Sequence, residues 1–280
     1  MTSEQQTAPV LEVRGLSVEL REGKKQRTIV KDVSFSVSPG ECLGILGESG
    51  SGKSMTVKSV LGLLDRQFHA VGEAWFGERE LLSEGAEKLR SIRGKEITMV
   101  LQNPMTCFDP LFRIGAQMEE TFRAHTSLSR GEIRQKSIEL LDQMQIQNPE
   151  EVLEKYPHQL SGGMLQRIMI GLAVSGSPRL LIADEPTTAL DAITRYEVLK
   201  IFQAIRKEHK TAMIFISHDL EAVAKVADRI LVMNQGRVVD RGDFDHIINH
   251  AEDAYTRLLA KTRKTVMERY QNALNGWRSE

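Results

Sequence analysis

The sequence has little cysteine: Cys42 and Cys107 are the two in 280 residues. They form no CxxC pair, and no group of histidines stands at metal-ligand spacing. These absences argue against a disulfide framework, a zinc finger and a cysteine-ligated iron–sulfur cluster. A chain of this length buries about three quarters of its unfolded surface and needs no such staple. We therefore expect two small buried side chains in a reducing compartment.

An excess of charge is also absent. Lysine and arginine total 37 against 38 aspartate and glutamate residues, a formal charge of -1. This balance argues against a protein that binds nucleic acid by bulk electrostatics, so we expect no nucleic-acid partner. Hydrophobic residues at 41% and charged residues at 27% are ordinary globular values, which excludes wholesale disorder.

Long apolar runs are missing as well. No run approaches the roughly 18 residues of a membrane helix, and residues 1–9 lack the basic-then-apolar pattern of a signal peptide. We expect a soluble chain that stays in the cytoplasm unless a partner brings it to a membrane.

Four short apolar runs end abruptly at polar or glycine-rich residues. The runs are 42–46, 97–101, 180–183 and 212–216, and the residues after them include Gly47, Gln102, Asp184 and His218. Continuous runs of this length favour strands buried on both faces of a parallel sheet. Helical segments between them, such as 54–64 and 191–208, predict right-handed βαβ units. Ligands of such sheets bind beyond the carboxyl ends of the strands, where these polar residues fall.

Three other regions have a different pattern. Residues 11–41 and 70–82 indicate shorter strands in a small antiparallel sheet. Residues 111–172 lack strand runs and are expected to be helical, with one helix starting at Ser129. Residues 230–239 predict a hairpin that turns at about residues 234–236.

A phosphate-binding loop lies between a predicted strand and a predicted helix. Residues 47–54 match the pattern G-x-x-x-x-G-K-[ST] in full. Its glycines let backbone N–H groups curl around an anion, and the helix adds its positive N-terminal end. Lys53 is expected to bridge the β- and γ-phosphates, and Ser54 to bind Mg²⁺.

Acidic and polar residues at three other strand ends complete the predicted site. Asp184 ends a buried strand and is a candidate Mg²⁺ ligand. Its neighbour Glu185 is a candidate general base that polarises the attacking water. Gln102 and His218 stand at matching positions, which places Gln102 near Mg²⁺ and water and His218 near the γ-phosphate.

One further segment carries the family resemblance. Residues 160–167 read Leu-Ser-Gly-Gly-Met-Leu-Gln-Arg before an apolar helical run, and Ser161 can cap that helix. With the phosphate loop, Gln102, the 180–185 strand, residues 189–191 and His218, this segment resembles the motif set of ABC-transporter nucleotide-binding subunits, in family order. The resemblance spans residues 11–245.

The resemblance implies a fold and a domain organisation. It implies an α/β fold of the P-loop NTPase type: an ABC cassette with a parallel core sheet, a small antiparallel β subdomain and an inserted helical subdomain. We expect the ATPase domain at 11–245, with the helical insertion at approximately 103–172, and a C-terminal extension at 246–280.

The resemblance also implies a head-to-tail pair of ATPases with ATP and Mg²⁺ as ligands. The predicted ATP-binding residues are Gly47, Glu48, Ser49, Gly50, Ser51, Gly52, Lys53, Ser54 and Met55. The predicted catalytic residues are Lys53, Gln102, Glu185 and His218, and the Mg²⁺ ligands are Ser54, Gln102 and Asp184. The signature residues Ser161, Gly162, Gly163 and Gln166, with Asp191, would serve the ATP held by the partner ATPase.

Several segments resemble the nickel/oligopeptide/dipeptide importer branch: 47–54, 101–104, 108–111, 183–191 and 255–259. That branch implies a second ATPase, two transmembrane permease subunits and, indirectly, a substrate-binding protein, with this chain peripheral on the cytoplasmic face of the membrane. Met-Leu-Gln at 164–166 is similar to nickel-importer subunits, whereas peptide importers commonly have Met-Arg-Gln. Many peptide-branch members also carry a C-terminal cysteine cluster for an iron–sulfur centre. This chain has no cysteine after Cys107, which also favours nickel, and a dipeptide or oligopeptide cargo stays the alternative.

A different class, the soluble ABC ATPases of translation or DNA repair, fits less well. Translation proteins carry two cassettes, but this chain has one phosphate loop. Repair proteins insert a long coiled coil between the phosphate loop and the residue equivalent to Asp184, and that interval is too short here.

Residues 261–280 mix charged and apolar residues at helical spacing and predict an amphipathic helix.

Overall fold

The computed structural model describes residues 8–23, 25–188 and 190–262. In this part of the chain the strands are β1 (Leu11–Glu22), β2 (Lys25–Val37), β3 (Cys42–Leu46), β4 (Phe68–Phe76), β5 (Arg79–Glu80), β6 (Ile97–Val100), β7 (Leu180–Asp184), β8 (Ala212–Ser217), β9 (Arg229–Asn234) and β10 (Arg237–Gly242). The helices are α1 (Lys53–Val60), α2 (Ala86–Ile92), α3 (Ile114–His125), α4 (Arg130–Gln143), α5 (Pro149–Glu154), α6 (Gly162–Val174), α7 (Ala192–His209) and α8 (Leu220–Val226). Residues 254–262 form a further helix, which we call the C-terminal helix.

A six-stranded sheet forms the centre of the fold, in the order β10-β9-β3-β8-β7-β6. The neighbouring pairs from β9 to β6 are parallel, and β10 pairs antiparallel with β9. Every residue of β3, β7 and β8 is buried, which explains why their sequences are continuously apolar. The predicted parallel core is confirmed, and its strands end at one common edge.

The two faces of this sheet meet different partners. On one face, Ile45 and Ile214 share a core with the smaller antiparallel sheet, whose strand order is β2-β1-β4-β5. On the other face, Phe215 packs in a core with the helical region, which contributes Ile114 and Ile168. The predicted antiparallel sheet is therefore confirmed, and the central sheet lies between it and the helices.

The helices α3, α4, α5 and α6 account for the region that the sequence predicts as helical. Helix α4 begins as expected after Ser129, because Ser129 and Glu132 form a reciprocal capping box. The Ser129 N–H donates to Glu132 Oε2 at 2.7 Å, and the Glu132 N–H donates to Ser129 Oγ at 3.4 Å. Both contacts satisfy helix N–H groups that have no partner within the helix.

The predicted hairpin is formed by β9 and β10. Its turn residues Gln235 and Gly236 have φ values of 48° and 80°, as a two-residue type I′ turn requires. A Cβ at Gly236 would collide with the backbone oxygen of Ile29, so glycine is required there for a second reason. The hairpin is joined to β2 of the smaller sheet at this point, because the Lys31 N–H donates to the Gly236 oxygen at 2.7 Å.

Two expectations need comment. Cys42 is buried as expected, but Cys107 is exposed, so the expectation of two buried cysteines is wrong for Cys107. It lies in the loop after β6, where its Sγ is 3.3 Å from the backbone oxygen of Asn103.

The predicted amphipathic helix at 261–280 lies outside the described residues apart from its first two positions, which continue the C-terminal helix. Within residues 8–23, 25–188 and 190–262, no helix has the length and apolar character needed to cross a membrane.

Candidate functional site

The phosphate loop connects β3 to α1 at the carboxyl edge of the central sheet. Gly50 and Gly52 have φ values of 82° and 102°, in the left-handed region that favours glycine. A Cβ at Gly47 would collide with the backbone oxygen of Met233 and lie 2.7 Å from Ser51 Oγ. The loop therefore has its shape because three of its positions lack a side chain.

The start of α1 is suited to an anion. Gly52 stands at the N-cap and supplies no side-chain cap, so the first N–H groups of the helix are left for an outside acceptor. Ser51 Oγ is buried and has no hydrogen-bond partner among the described residues. The first N–H groups of α1 and the Ser51 hydroxyl can therefore donate hydrogen bonds to the phosphate groups of a nucleotide.

Lys53 lies under this loop, with a side chain that is 5% exposed. Its Nζ donates to the backbone oxygens of Gly47 at 2.7 Å and Glu48 at 2.9 Å. It also lies 3.6 Å from Glu185 Oε1. Burial lowers the pKa of Lys53, and the neighbouring Glu185 carboxylate opposes that shift. A buried ammonium group so close to the loop adds positive charge to the anion site.

Ser54 and Asp184 meet across the two strand ends. The Ser54 hydroxyl donates to Asp184 Oδ1 at 2.6 Å, although the two residues are 130 positions apart. Burial raises the pKa of Asp184, and the hydrogen bond from Ser54 opposes the shift. A hydroxyl and a carboxylate side by side are the hard oxygen donors that Mg²⁺ prefers, so this pair fits a Mg²⁺ site.

Glu185 is held in an uncommon backbone conformation immediately after β7, with a φ of 52°. Such a conformation costs about 1–3 kcal/mol in a residue other than glycine and persists where surrounding contacts fix it. Here the Glu185 N–H donates to the Ile216 oxygen at 3.0 Å. The carboxylate Oε2 accepts from Thr188 Oγ1 at 2.7 Å and lies 2.7 Å from His218 Nδ1.

The predicted catalytic and Mg²⁺-binding residues therefore converge, with one exception. At the carboxyl edge of the sheet, Ser54 contacts Asp184, and the next residue, Glu185, contacts Lys53 and His218. The imidazole of His218 is more than half exposed, so it faces the space above the loop.

Gln102 is the exception. It follows the edge strand β6 at the same edge of the sheet and is exposed. Among the described residues, no side-chain hydrogen bond joins it to the network around Glu185.

The signature segment lies on the first turn of α6. Ser161 caps this helix as the sequence predicts, because its Oγ accepts from the Met164 N–H at 3.2 Å. Ser161 and Gly162 are exposed, whereas Gln166 is buried and its Nε2 has no partner in the described part of the chain. A Cβ at Gly163 would lie 2.5 Å from Thr194 Cγ2, so this glycine permits close packing against α7.

Asp191 caps the start of α7 and binds Thr194, the residue against which Gly163 packs. Its Oδ1 accepts from the N–H groups of Ile193 at 3.0 Å and Thr194 at 3.1 Å, and its Oδ2 accepts from Thr194 Oγ1 at 2.6 Å. The Thr194 hydrogen bonds hold the pKa of Asp191 below its usual value. Asp191, Thr194 and Gly163 thus form a second cluster, and no described hydrogen bond or ion pair joins it to residues 47–54.

Two contacts of the site were not predicted from the sequence. Thr188 binds the Glu185 carboxylate, and its position three residues after Glu185 was the available signal. Tyr255 accepts a hydrogen bond from the Glu48 N–H at 2.9 Å, and no local pattern could indicate a contact between residues 207 positions apart.

Comparison with known proteins identifies a family and relatives to which this chain is similar. The ABC transporter family model matches residues 30–188. The chain is 45% identical over 248 residues to the metal-staphylopine import system ATP-binding protein CntD of Staphylococcus aureus, an alignment that covers 89% of this chain and 92% of that protein. It is 40% identical over 257 residues to the glutathione import ATP-binding protein GsiA of Escherichia coli, covering 89% of this chain and 41% of that protein.

The fold is also similar to that of a solved structure. A dimeric ATP-binding cassette in a post-hydrolysis state, bound to ADP and Pi, matches with a TM-score of 0.74. The match covers 84% of this chain and 98% of the other at 24% sequence identity, and it is a likeness of fold.

Proposed function

Because this chain belongs to the ABC transporter family and is an ATPase of that family, we propose that it is the ATP-hydrolysing subunit that energises a membrane importer. The observation that carries the proposal is the buried Glu185 carboxylate, which lies within 3.6 Å of both Lys53 Nζ and His218 Nδ1. At the edge of a phosphate loop, an ammonium can neutralise phosphate charge, a carboxylate can orient the attacking water, and an imidazole can donate a hydrogen bond.

Lys53 and the N-terminus of α1 bind the phosphates in this proposal. The ammonium group, now held by two loop carbonyls, bridges the β- and γ-phosphate oxygens, and the loop N–H groups surround them. The nucleotide-binding residues are those of the loop, 47–54, together with Met55.

Mg²⁺ is assigned to Ser54, Asp184 and Gln102. The Ser54–Asp184 hydrogen bond supports the first two ligands, since it brings a hydroxyl and a carboxylate together beside the loop. Gln102 would join them by a movement of the exposed loop after β6. Held by these residues, Mg²⁺ would neutralise the charge that develops on the β- and γ-phosphate oxygens.

Glu185 acts as the general base. Its carboxylate takes a proton from the attacking water as the water oxygen bonds to the γ-phosphorus. The bond between that phosphorus and the bridging oxygen breaks, which gives ADP and phosphate. His218 and Thr188 both contact Oε2, so they orient the carboxylate, and the exposed ring of His218 is free to contact the γ-phosphate.

A second ATPase completes the site. Ser161, Gly162, Gly163 and Gln166, with Asp191, act on the ATP held by the partner, as in a head-to-tail pair. The separation of the signature cluster from the phosphate loop within one chain supports this arrangement. So does the exposure of Ser161 and Gly162 at the N-terminus of α6, where helix N–H groups favour an anion. The partner is another copy of this chain or a different ATPase.

Transmembrane permease subunits are the proposed partners of the loop after β6. This loop exposes large apolar side chains beside Gln102: Leu101, Met105, Leu111 and Phe112. Leu111 is 78% exposed and its neighbour Phe112 56%, and several exposed large apolar side chains on one loop are typical of a protein contact. Gln102 and the helical region 103–172 would pass the motion of the ATPase to two permeases at the cytoplasmic face of the membrane.

The proposed cargo is nickel or a nickel chelate, delivered by a substrate-binding protein. The Met-Leu-Gln sequence at 164–166 supports it, and so does the 45% identity to a subunit that imports a metal chelate, metal-staphylopine. A dipeptide or oligopeptide is the second candidate, favoured by the 40% identity to a subunit that imports the tripeptide glutathione.

Affinity purification of the full-length chain from its own cells tests the importer proposal. We expect recovery with two multi-span membrane proteins and a second ATPase, whereas a soluble complex with ribosomes or DNA would contradict it. Uptake of radioactive nickel, of a nickel chelate and of labelled di- and oligopeptides, in cells with and without this chain, then decides the cargo. Loss of peptide uptake alone would exclude nickel.

A further inference from the structure

The segment that follows β10 is packed firmly on the ATPase core. The side chains of Ile247 and Thr256 are completely buried, and Ala260 on the C-terminal helix is nearly so. Asp240, within β10, accepts hydrogen bonds from His246 Nε2 at 3.0 Å and from the Glu252 N–H at 3.2 Å. The position of the C-terminal helix is therefore fixed by core packing and by one buried carboxylate.

The first turn of the C-terminal helix aims Tyr255 at the phosphate loop. Asp253 caps this helix, because its Oδ1 accepts from the N–H groups of Tyr255 at 2.8 Å and Thr256 at 3.3 Å. With Thr256 buried on one side, the half-buried ring of Tyr255 reaches the second residue of the loop. Its hydroxyl accepts from the Glu48 N–H at 2.9 Å.

This hydrogen bond acts on the same peptide group that holds the catalytic lysine. The Glu48 nitrogen and the Gly47 carbonyl belong to one planar peptide unit, whose N–H and C=O point in opposite directions. Tyr255 binds the N–H, and Lys53 Nζ binds the C=O at 2.7 Å. Rotation of this peptide plane would break both contacts, so Tyr255 and Lys53 restrain each other through it.

We propose that Tyr255 is a positioning residue of the phosphate loop, which sets the Gly47–Glu48 peptide and, through it, the place of Lys53 before nucleotide binds. The inference rests on the proposed role of Lys53 in binding the phosphates. It gives the segment after β10 a part in ATP binding, although Tyr255 lies beyond the last of the predicted site residues, His218. Burial raises the pKa of the Tyr255 hydroxyl, so the group stays a neutral partner at physiological pH.

Removal of the hydroxyl alone tests the proposal. Tyr255→Phe keeps the packed ring and deletes the acceptor, and Tyr196→Phe is the matched control because Tyr196 is a half-exposed tyrosine on α7. Both purified full-length variants are titrated with a non-hydrolysable ATP analogue and Mg²⁺, and their ATPase kinetics and melting temperatures are measured. The melting temperatures report folding separately from nucleotide binding.

We expect Tyr255→Phe to weaken analogue binding about three- to tenfold, the effect of one lost hydrogen bond, while Tyr196→Phe binds as the wild type does. The KM for ATP should rise by a similar factor with little change in kcat, since the loop geometry affects ground state and transition state alike. Equal affinity of wild type and Tyr255→Phe would overturn the inference, and so would an equal loss in Tyr196→Phe. Failure of the wild-type chain itself to bind the analogue would instead overturn the proposed function.

Discussion

The substitution Glu185→Gln probes the centre of the proposed site with a minimal change of shape. Glutamine keeps one side-chain oxygen of the same reach, so Thr188 and His218 retain a partner at the end of the side chain. The amide cannot accept a proton from water. It also removes the negative charge that lies 3.6 Å from Lys53 Nζ.

The size of the expected effect follows from the role assigned to the carboxylate. A positioned general base contributes about 10²–10⁴ to a rate, so we expect kcat to fall by about that factor. At 1.36 kcal/mol for each factor of ten, this is an increase of about 3–5 kcal/mol in the activation free energy. ATP binding should persist, because the phosphate loop and Lys53 are unchanged and the nucleotide phosphates replace the lost charge beside Lys53.

The assay is steady-state phosphate release by the assembled transporter, together with equilibrium binding of ATP and Mg²⁺ to the same variant. The control is Glu78→Gln, the same chemical change at an exposed residue in the turn between β4 and β5. It should leave both rate and affinity at wild-type values. A melting curve of each variant establishes that the chain is folded.

Two results would refute the reasoning. A Glu185→Gln variant with the wild-type ATPase rate would remove Glu185 from the role of base. A variant that loses ATP affinity and rate in equal proportion would show that the carboxylate organises the loop and Lys53 rather than accepting a proton.

Two further predictions concern the packing that supports the site. Gly163→Ala should lower the unfolding free energy by about 1–3 kcal/mol, because the new Cβ would lie 2.5 Å from Thr194 Cγ2. The control Gly162→Ala places its Cβ where nothing lies within 4 Å, so it should not lower the unfolding free energy. Denaturant unfolding compares the two variants, and equal stabilities would contradict the packing of Gly163 against Thr194. Burial opposes ionisation of Asp240, but hydrogen bonds, chiefly from His246, hold its pKa below its usual value. Its charged form therefore stabilises the fold at neutral pH, and Asp240→Asn should lose stability at pH 7 by an amount that shrinks as the pH falls below about 4. A loss independent of pH would contradict this account.

Much of the fold was predictable because the relevant signals are local. The buried strands are recognisable as continuous apolar runs, because a strand covered on both faces has no position that faces solvent. The start of α4 at Ser129 and the turn at Gln235 and Gly236 depend on a few adjacent residues, and both are as predicted. The family and the ATPase activity were recognised correctly because the motifs are short, ordered and specific.

Other features had no local signal. Exposure of Cys107 could not be predicted from residue type, because cysteine is usually buried and its place in the loop after β6 depends on the packing of that loop. The place of Gln102 relative to Asp184 and Glu185 depends on the conformation of the same loop. The left-handed backbone of Glu185 is imposed by its neighbours rather than favoured by its sequence.

The sequence by itself determined the chemistry of the site: a loop shaped by glycine, a lysine, and acidic residues at the ends of strands that must lie parallel. The tertiary structure alone decided which of these groups touch. It joined Ser54 to Asp184, placed Glu185 between Lys53 and His218, and brought Tyr255 to the loop from 207 residues away. The physical reason is that hydrogen bonds and ion pairs act over a few ångströms, so their partners are fixed by how the sheet, the helices and the C-terminal segment pack, and not by distance along the chain.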